Sequence, residues 1–293
     1  MTNIRLTPVL LWDGSHQVLS RNFKFHQKTG NLIDFAGRLK VWDVDEIIVL
    51  NIAPYYNSNL DKIESHKKFC EVISEISQDC FAPLIAGGGL NSVSSIDDII
   101  HAGADRVIIN SAAYSNLELV TQAAKVLGSQ AIIGGIDVRK EGTAFKTYSN
   151  AGTEEQSLNP VDWAVTLQEA GAGEILVQSI DQDGLGNGYD LEIIEKIRIP
   201  LEVPIVALGG ARSSNDFKRV IEIGASSAAA SNLFVFNELS YPKIKTELSQ
   251  SCNTRHCSLF DFHAVRQKAN QESTTESQER SLWSLLDNSG LME

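Results

Sequence analysis

The chain has 293 residues, 43% of them hydrophobic and 21% charged, and a formal net charge of −12. That size and balance suit a soluble enzyme with a full core, and roughly 250 residues suffice for a single barrel domain. The acidity argues against nucleic acid or an anionic membrane as main partner, so any phosphate must be held locally by backbone N–H groups.

Residues 1–11 carry one positive side chain and too short an apolar run for a secretory signal. No stretch approaches the roughly 20 apolar residues of a membrane helix. Four cysteines, Cys70, Cys80, Cys252 and Cys257, suit reduced thiols and a cytoplasmic location. Cys252 and Cys257 flank His256, but their spacing does not match the usual zinc ligands. No metal and no cofactor are expected.

Short β-branched runs occur at residues 4–11, 46–52, 83–86, 106–110, 131–136, 174–180, 204–208 and 227–231. Amphipathic stretches of helical period lie between most of them, at 60–76, 94–102, 117–127, 161–170 and 215–223. This alternation predicts an α/β fold with a parallel sheet, and eight such units close a (β/α)8 TIM barrel. An internal repeat supports closure. Residues 83–89 (PLIAGGG) align with 204–210 (PIVALGG), and without a gap Gly103-Ala104 falls on Gly224-Ala225 and Asn110 on Ser231. Glu46-Ile47-Ile48-Val49 similarly matches Glu174-Ile175-Leu176-Val177. Two half-barrels of four units each are therefore expected over residues 1–250. Residues 251–293 read as a polar C-terminal extension, with a Gln/Glu/Ser-rich stretch at 267–280 and an apolar cluster at Leu282-Trp283 and Leu285-Leu286. That cluster suits either a tail packing back on the barrel or a docking peptide.

In a barrel the functional groups lie at the C-terminal ends of the strands. Gly88 and Gly89, and in the second copy Gly209 and Gly210, follow strands and precede helices, where backbone N–H groups can meet an anion. Asn110-Ser111 and Ser231-Asn232 end the next strands and could complete each cradle. Two phosphate sites on opposite sides of one mouth follow. Asp137 and Asp183 also fall at strand ends, where a carboxylate can move protons on a sugar-like substrate. Asp181 could instead cap a turn. At the opposite rim, Arg5, Glu46, Arg106 and Glu174 begin strands and offer alternating charges for a salt-bridged floor.

These segments together resemble the cyclase subunit of imidazole glycerol phosphate synthase over nearly all of residues 4–248. The resemblance rests on Asp45-Glu46-Ile47-Ile48-Val49-Leu50, Ala86-Gly87-Gly88-Gly89, Gly103-Ala104-Asp105-Arg106-Val107, Ile109-Asn110-Ser111-Ala112-Ala113 and Gly128-Ser129-Gln130. It continues through Gly171-Ala172-Gly173-Glu174-Ile175-Leu176, Asp181-Gln182-Asp183-Gly184 and Gly188-Tyr189-Asp190. It implies a ribulose-phosphate-binding barrel and a lyase or synthase activity on a bis-phosphorylated sugar substrate, as in histidine biosynthesis. It also implies a glutaminase subunit docked as a heterodimer on the strand-N-terminal face, whose ammonia enters through the ring of Arg5, Glu46, Arg106 and Glu174. Arg106 stands where the family usually has lysine, Gln130 near the conduit, and Asp105 at an interface position.

Three departures from the family pattern stand out. The family closes its first strand with Cys-Leu-Asp; the matching stretch here is Val9-Leu10-Leu11-Trp12-Asp13-Gly14, and Leu10 takes the place of the acid/base aspartate. Asp13 belongs to the following loop. The second strand ends in Asn51 instead of aspartate, and the phosphate-binding lysine of the mobile loop aligns with Leu19, with Arg21 nearby. This pattern is similar to a paralogous branch of surface-polysaccharide synthesis, where members are thought to help an amidotransferase form an acetamidino sugar. A non-catalytic scaffold that stimulates a glutaminase is the third alternative.

Overall fold

The computed structural model describes residues 4–53, 61–236, 239–250, 252 and 254. In chain order its strands are β1 (Arg5–Trp12), β2 (Gln17–Arg21), β3 (Phe25–Gly30), β4 (Ile47–Asn51), β5 (Leu84–Gly87) and β6 (Arg106–Ile109). They continue with β7 (Ile132–Glu141), β8 (Ala144–Ser149), β9 (Glu154–Glu155), β10 (Glu174–Ser179), β11 (Ile205–Leu208) and β12 (Ser227–Ala230). Eight of them, β1, β4, β5, β6, β7, β10, β11 and β12, pair in parallel in that order, and the β12–β1 ladder closes the cylinder. The chain is a (β/α)8 barrel.

Helices Leu32–Val41, Lys62–Asp79, Val93–His101, Glu118–Leu127, Pro160–Glu169, Leu191–Arg198, Ser214–Glu222 and Ser240–Ser249 cover the outside. Their starts are written locally. Asn159 accepts hydrogen bonds from Val161 and Asp162 N–H ahead of Pro160, and Ser92 and Ser95 form a reciprocal capping box. The expected helices fall within a few residues of those observed. Those at Leu32–Val41, Leu191–Arg198 and Ser240–Ser249 were not anticipated.

Strand alternation sorts the barrel into two apolar layers. Leu6, Leu10, Trp12, Val49, Ile109, Val177 and Ala207 turn outward against the helices. Val9, Leu11, Ile48, Ile85, Ile108, Ile133, Leu176, Val206 and Leu208 fill the interior. The half-barrel repeat carries further than the glycine turns. The hairpin β2–β3 follows the first strand of one half, and β8 with β9 follows β7, the first strand of the other. Short helices Ser111–Ser115 and Asn232–Phe236 likewise follow β6 and β12.

Ile4 bridges to Thr254, and apart from Cys252 and Thr254 the expected polar extension, with His256, Cys257 and the Leu282–Leu286 cluster, lies outside the described residues. Among the described residues, no helix is long and apolar enough to cross a membrane.

Candidate active site

At the C-terminal ends of the strands the barrel opens into a cavity of about 1030 Å3. Gly88, Gly89, Asn110, Ser111 and Asp137 all line it, so the structure brings the first expected phosphate cradle together with one expected acid. Gly88 adopts φ +95, and a Cβ there would stand 2.1 Å from the Asn51 carbonyl oxygen, so the turn requires glycine. Helix Val93–His101 starts just beyond, and its cap residue Ser92 and first-turn Ser94 and Ser95 line the same cavity. The arrangement suits an anion.

Asp137 faces inward from the middle of β7, close to where its ladder with β10 ends, and is 6% exposed. Burial pushes its carboxyl up to about 7; the Asn110 side chain opposes the shift by hydrogen bonding, and Asp183 adds to it. A carboxyl poised there can both take and give a proton near neutral pH.

The second expected cradle is differently disposed. Gly209 and Gly210 are buried, and neither they nor Ser231 and Asn232 line the cavity. The hairpin β2–β3 folds over this side. Asn232 Nδ2 donates to the Ser20 carbonyl oxygen at 2.9 Å, and Ser20 Oγ donates to Asp183 Oδ2 at 2.5 Å. The hairpin tip completes the contact, with Phe23 N–H on Asp183 Oδ2 at 3.2 Å and Asn22 N–H on the Asp183 carbonyl at 3.0 Å. Burial raises the Asp183 carboxyl as well, and the hydrogen bonds from Ser20 and Phe23 pull it back. Ser231, the repeat counterpart of Asn110, has a buried Oγ with no hydrogen-bond partner among the described residues.

One assignment from the sequence needs correction. Leu10 does not face the site: it is 2% exposed and packs outward in the layer between barrel and helices. Leu11 is the residue that lines the cavity, 6% exposed and part of the interior cluster. The cause is the two-residue period of a strand, because Arg5 turned inward at the floor puts Thr7, Val9 and Leu11 on the same face. Matching Cys-Leu-Asp to Val9-Leu10-Leu11 puts the aspartate position at Leu11 as well. Asn51 ends β4, but its Oδ1 accepts from Ala53 N–H and its Nδ2 reaches Ser65 Oγ at 3.4 Å. Asp13 accepts from the Ser15 and His16 N–H groups, a turn-closing role. Leu19 is buried, and Arg21 is exposed near the hairpin tip. Asp181 accepts from Lys140 N–H at 2.7 Å.

At the opposite end the four charges do form one ring. Arg5 pairs with Glu46 at 3.1 Å and with Glu174, while Arg106 pairs with Glu174 and lies 3.9 Å from Glu46. Glu46 also accepts from Thr7 Oγ1 at 2.5 Å and Ser227 Oγ at 3.1 Å. Glu174 is fully buried, so Glu174→Ala leaves two arginines facing one another. The expected loss of stability is about 3 kcal/mol, at the low end for a broken buried pair because both arginines keep some solvent. Urea unfolding reads it; a loss under about 1 kcal/mol would mean that water already solvates the ring.

Sequence reasoning missed Leu11, the hairpin residues Ser20 and Phe23, and Gln178 of β10, which lines the cavity. Glu174 at the floor sets the parity of β10, and counting in twos from it reaches Leu176 and Gln178.

Comparison with known proteins shows the family. A family model described as histidine biosynthesis protein matches residues 9–240. Curated relatives named imidazole glycerol phosphate synthase subunit HisF include one from Dehalococcoides mccartyi, 34% identical over 249 residues, covering 85% of this chain and 96% of the relative. Another, from Alkaliphilus metalliredigens, is 35% identical over 252 residues, covering 85% and 97%. One from Thermococcus onnurineus is 33% identical over 228 residues, covering 78% and 88%.

Proposed function

The chain belongs to the histidine biosynthesis protein family, with HisF-named relatives along most of its length, and from that premise we propose that it is a cyclase-like subunit of the imidazole glycerol phosphate synthase type. It adds ammonia released by a partner glutaminase to a phosphorylated sugar. The observation that carries this reading is Asp137, a carboxyl held near pH 7 beside an anion-ready glycine turn and a cavity large enough for such a substrate.

The residues support the following division of labour. The glutaminase docks at the strand-N-terminal face, where Arg5, Glu46, Arg106 and Glu174 form the ring. The longest contact, Arg106–Glu46 at 3.9 Å, is the natural one to part. Above the ring the interior is apolar, which favours passage of neutral ammonia over ammonium because a bare ion is costly to desolvate. At the mouth, Gly88 and Gly89 hold one phosphate, with Asn110 and Ser111 beside them. Asp137 moves the proton, and Asp183 joins it once the hairpin releases Ser20.

Excess ammonium replaces the glutaminase, so turnover of the bis-phosphorylated ribulosyl intermediate of histidine biosynthesis by the purified chain tests the chemistry alone. Formation of imidazole glycerol phosphate is expected, and a chain that binds this substrate without turning it over would remove the cyclase reading. One observation favours a second reading. The mouth wall opposite Asp137 is apolar at Leu11, where the family pattern carries an acid/base aspartate. That loss suits the paralogous role in acetamidino-sugar formation for surface polysaccharide, for which a nucleotide sugar would bind and the ribulosyl intermediate would not.

A further inference from the structure

Barrel strands β1 and β7 are diametrically opposed, four steps apart in either direction around the cylinder. Strand β7 brings Asp137 to one side of the mouth, and β1 brings Leu11 to the other. The hairpin β2–β3 grows out of that second side, since Val18 of β2 pairs with Leu11. Its inner face is marked by Ser20, whose hydroxyl donates to Asp183. His26 of β3 stands directly across from Ser20 in the hairpin ladder, so its imidazole leaves the same face of the ribbon. Both side chains line the cavity.

Of the cavity residues that β1 and its hairpin supply, Leu11, Ser20, Phe23 and His26, only the histidine is of a type that titrates near neutral pH. Its neighbours along β3, Phe25, Gln27 and Lys28, are exposed, whereas His26 is half-buried. Docking of the ribbon does not call for an imidazole, because Ser20 and Phe23 already hold it to Asp183. Burial weakens the hold of the imidazole on a proton, and the Asp13 carboxylate partly opposes this. Lys28 and His16 share that Asp13, at 3.6 and 3.7 Å. Beyond Ser20, burial raises the Asp183 carboxyl too. The ring is therefore largely neutral near pH 7, the form that accepts a proton.

We infer that His26 is a catalytic residue, the proton acceptor that works with Asp137 across the mouth when ammonia adds to a carbonyl of the bound phosphorylated sugar. As the nitrogen–carbon bond forms, the carbonyl π bond breaks and its electron pair passes to oxygen. That oxygen takes a proton from the protonated form of Asp137. The nitrogen, now positively charged, gives one of its own protons to His26. One proton is delivered and one removed, leaving a neutral carbinolamine. Two carriers on facing walls suit a step whose proton donor and proton acceptor act on different atoms. This rests on the ammonia-addition reading above and names the group that does, from the hairpin, what Leu11 cannot do from the strand.

Ammonium-dependent turnover of the ribulosyl intermediate by the full chain tests it, with His26→Gln and His26→Ala beside the parent. Each variant should lose kcat by roughly 10²-fold or more with KM within about threefold of the parent, because a proton carrier acts on the step and not on binding. Urea midpoints of both should stay near the parent's, which separates lost chemistry from lost folding. Imidazole added to the medium should restore part of the lost kcat to His26→Ala, where the missing ring leaves room for it. The inference is overturned if both variants keep the parent's kcat, if the loss falls on KM instead, or if imidazole restores nothing. A parent chain without turnover would remove the cyclase reading and this inference together, and that failure shows in the parent before any variant is measured.

Discussion

Asp137→Asn is expected to lower ammonium-dependent turnover by about 10²–10⁴-fold, the usual contribution of a positioned general acid or base. The same substitution should stabilise the protein above neutral pH. Burial raises the folded-state carboxyl to about 7, whereas in the unfolded chain it titrates near ~3.9. Between those values the folded form holds a proton that the unfolded form has released, so each rise in pH favours unfolding. The burden is absent below the lower value and complete above the higher one. Its full size is roughly 4 kcal/mol, about three pH units of proton linkage. Asparagine carries no charge and escapes it. Urea midpoints should therefore match the parent near pH 4 and exceed it near pH 8, with some residual pH dependence from Asp183, whose carboxyl is also raised. A variant equally weakened at both pH values, or one that keeps its turnover, would make Asp137 a structural residue.

The barrel was legible because its signals are local and repeated. The PLIAGGG and PIVALGG copies carry strand, glycine turn and helix start within a few residues, and the structure puts β5 and β11 at those places. The charged floor was legible too, since Arg5, Glu46, Arg106 and Glu174 stand at or immediately before strand starts. The hairpin β2–β3 was not, because Val18 and Leu19 make too short an apolar run, and their burial depends on the tip reaching Asp183 far along the chain. Tertiary docking decides that segment, and no local pattern encodes it. The error at Leu10 is of another kind. With Arg5 inward, the parity of β1 already pointed to Leu11, and one miscounted residue moves a side chain from the mouth to the outer core.

That difference makes a pair of substitutions decisive. Leu10→Asp should cripple folding, and Leu11→Asp should leave it nearly intact. Leu10 borders a small space with Phe35, Leu39, Trp42 and Phe234, so aspartate there loses apolar packing and introduces a poorly solvated charge. The two effects together are worth on the order of 4–5 kcal/mol, large against the stability of a typical domain. Arg38 at the edge of that space is held over the Phe35 ring, which limits its use as a counter-ion. Leu11 opens on the cavity, where water can solvate a carboxylate, so the expected cost is about 1–2 kcal/mol. Leu11→Asp also returns an acid/base group to the wall that faces Asp137. If the chain is a cyclase weakened by that loss, ammonium-dependent turnover should rise by roughly tenfold or more. Asn51 need not change with it, since its side chain is engaged with Ala53 and Ser65. Urea unfolding and turnover of the two variants side by side decide the matter. A well-folded Leu10→Asp beside an unfolded Leu11→Asp would reverse the facing of β1. A stable Leu11→Asp without any gain in turnover would shift the weight to the acetamidino-sugar role.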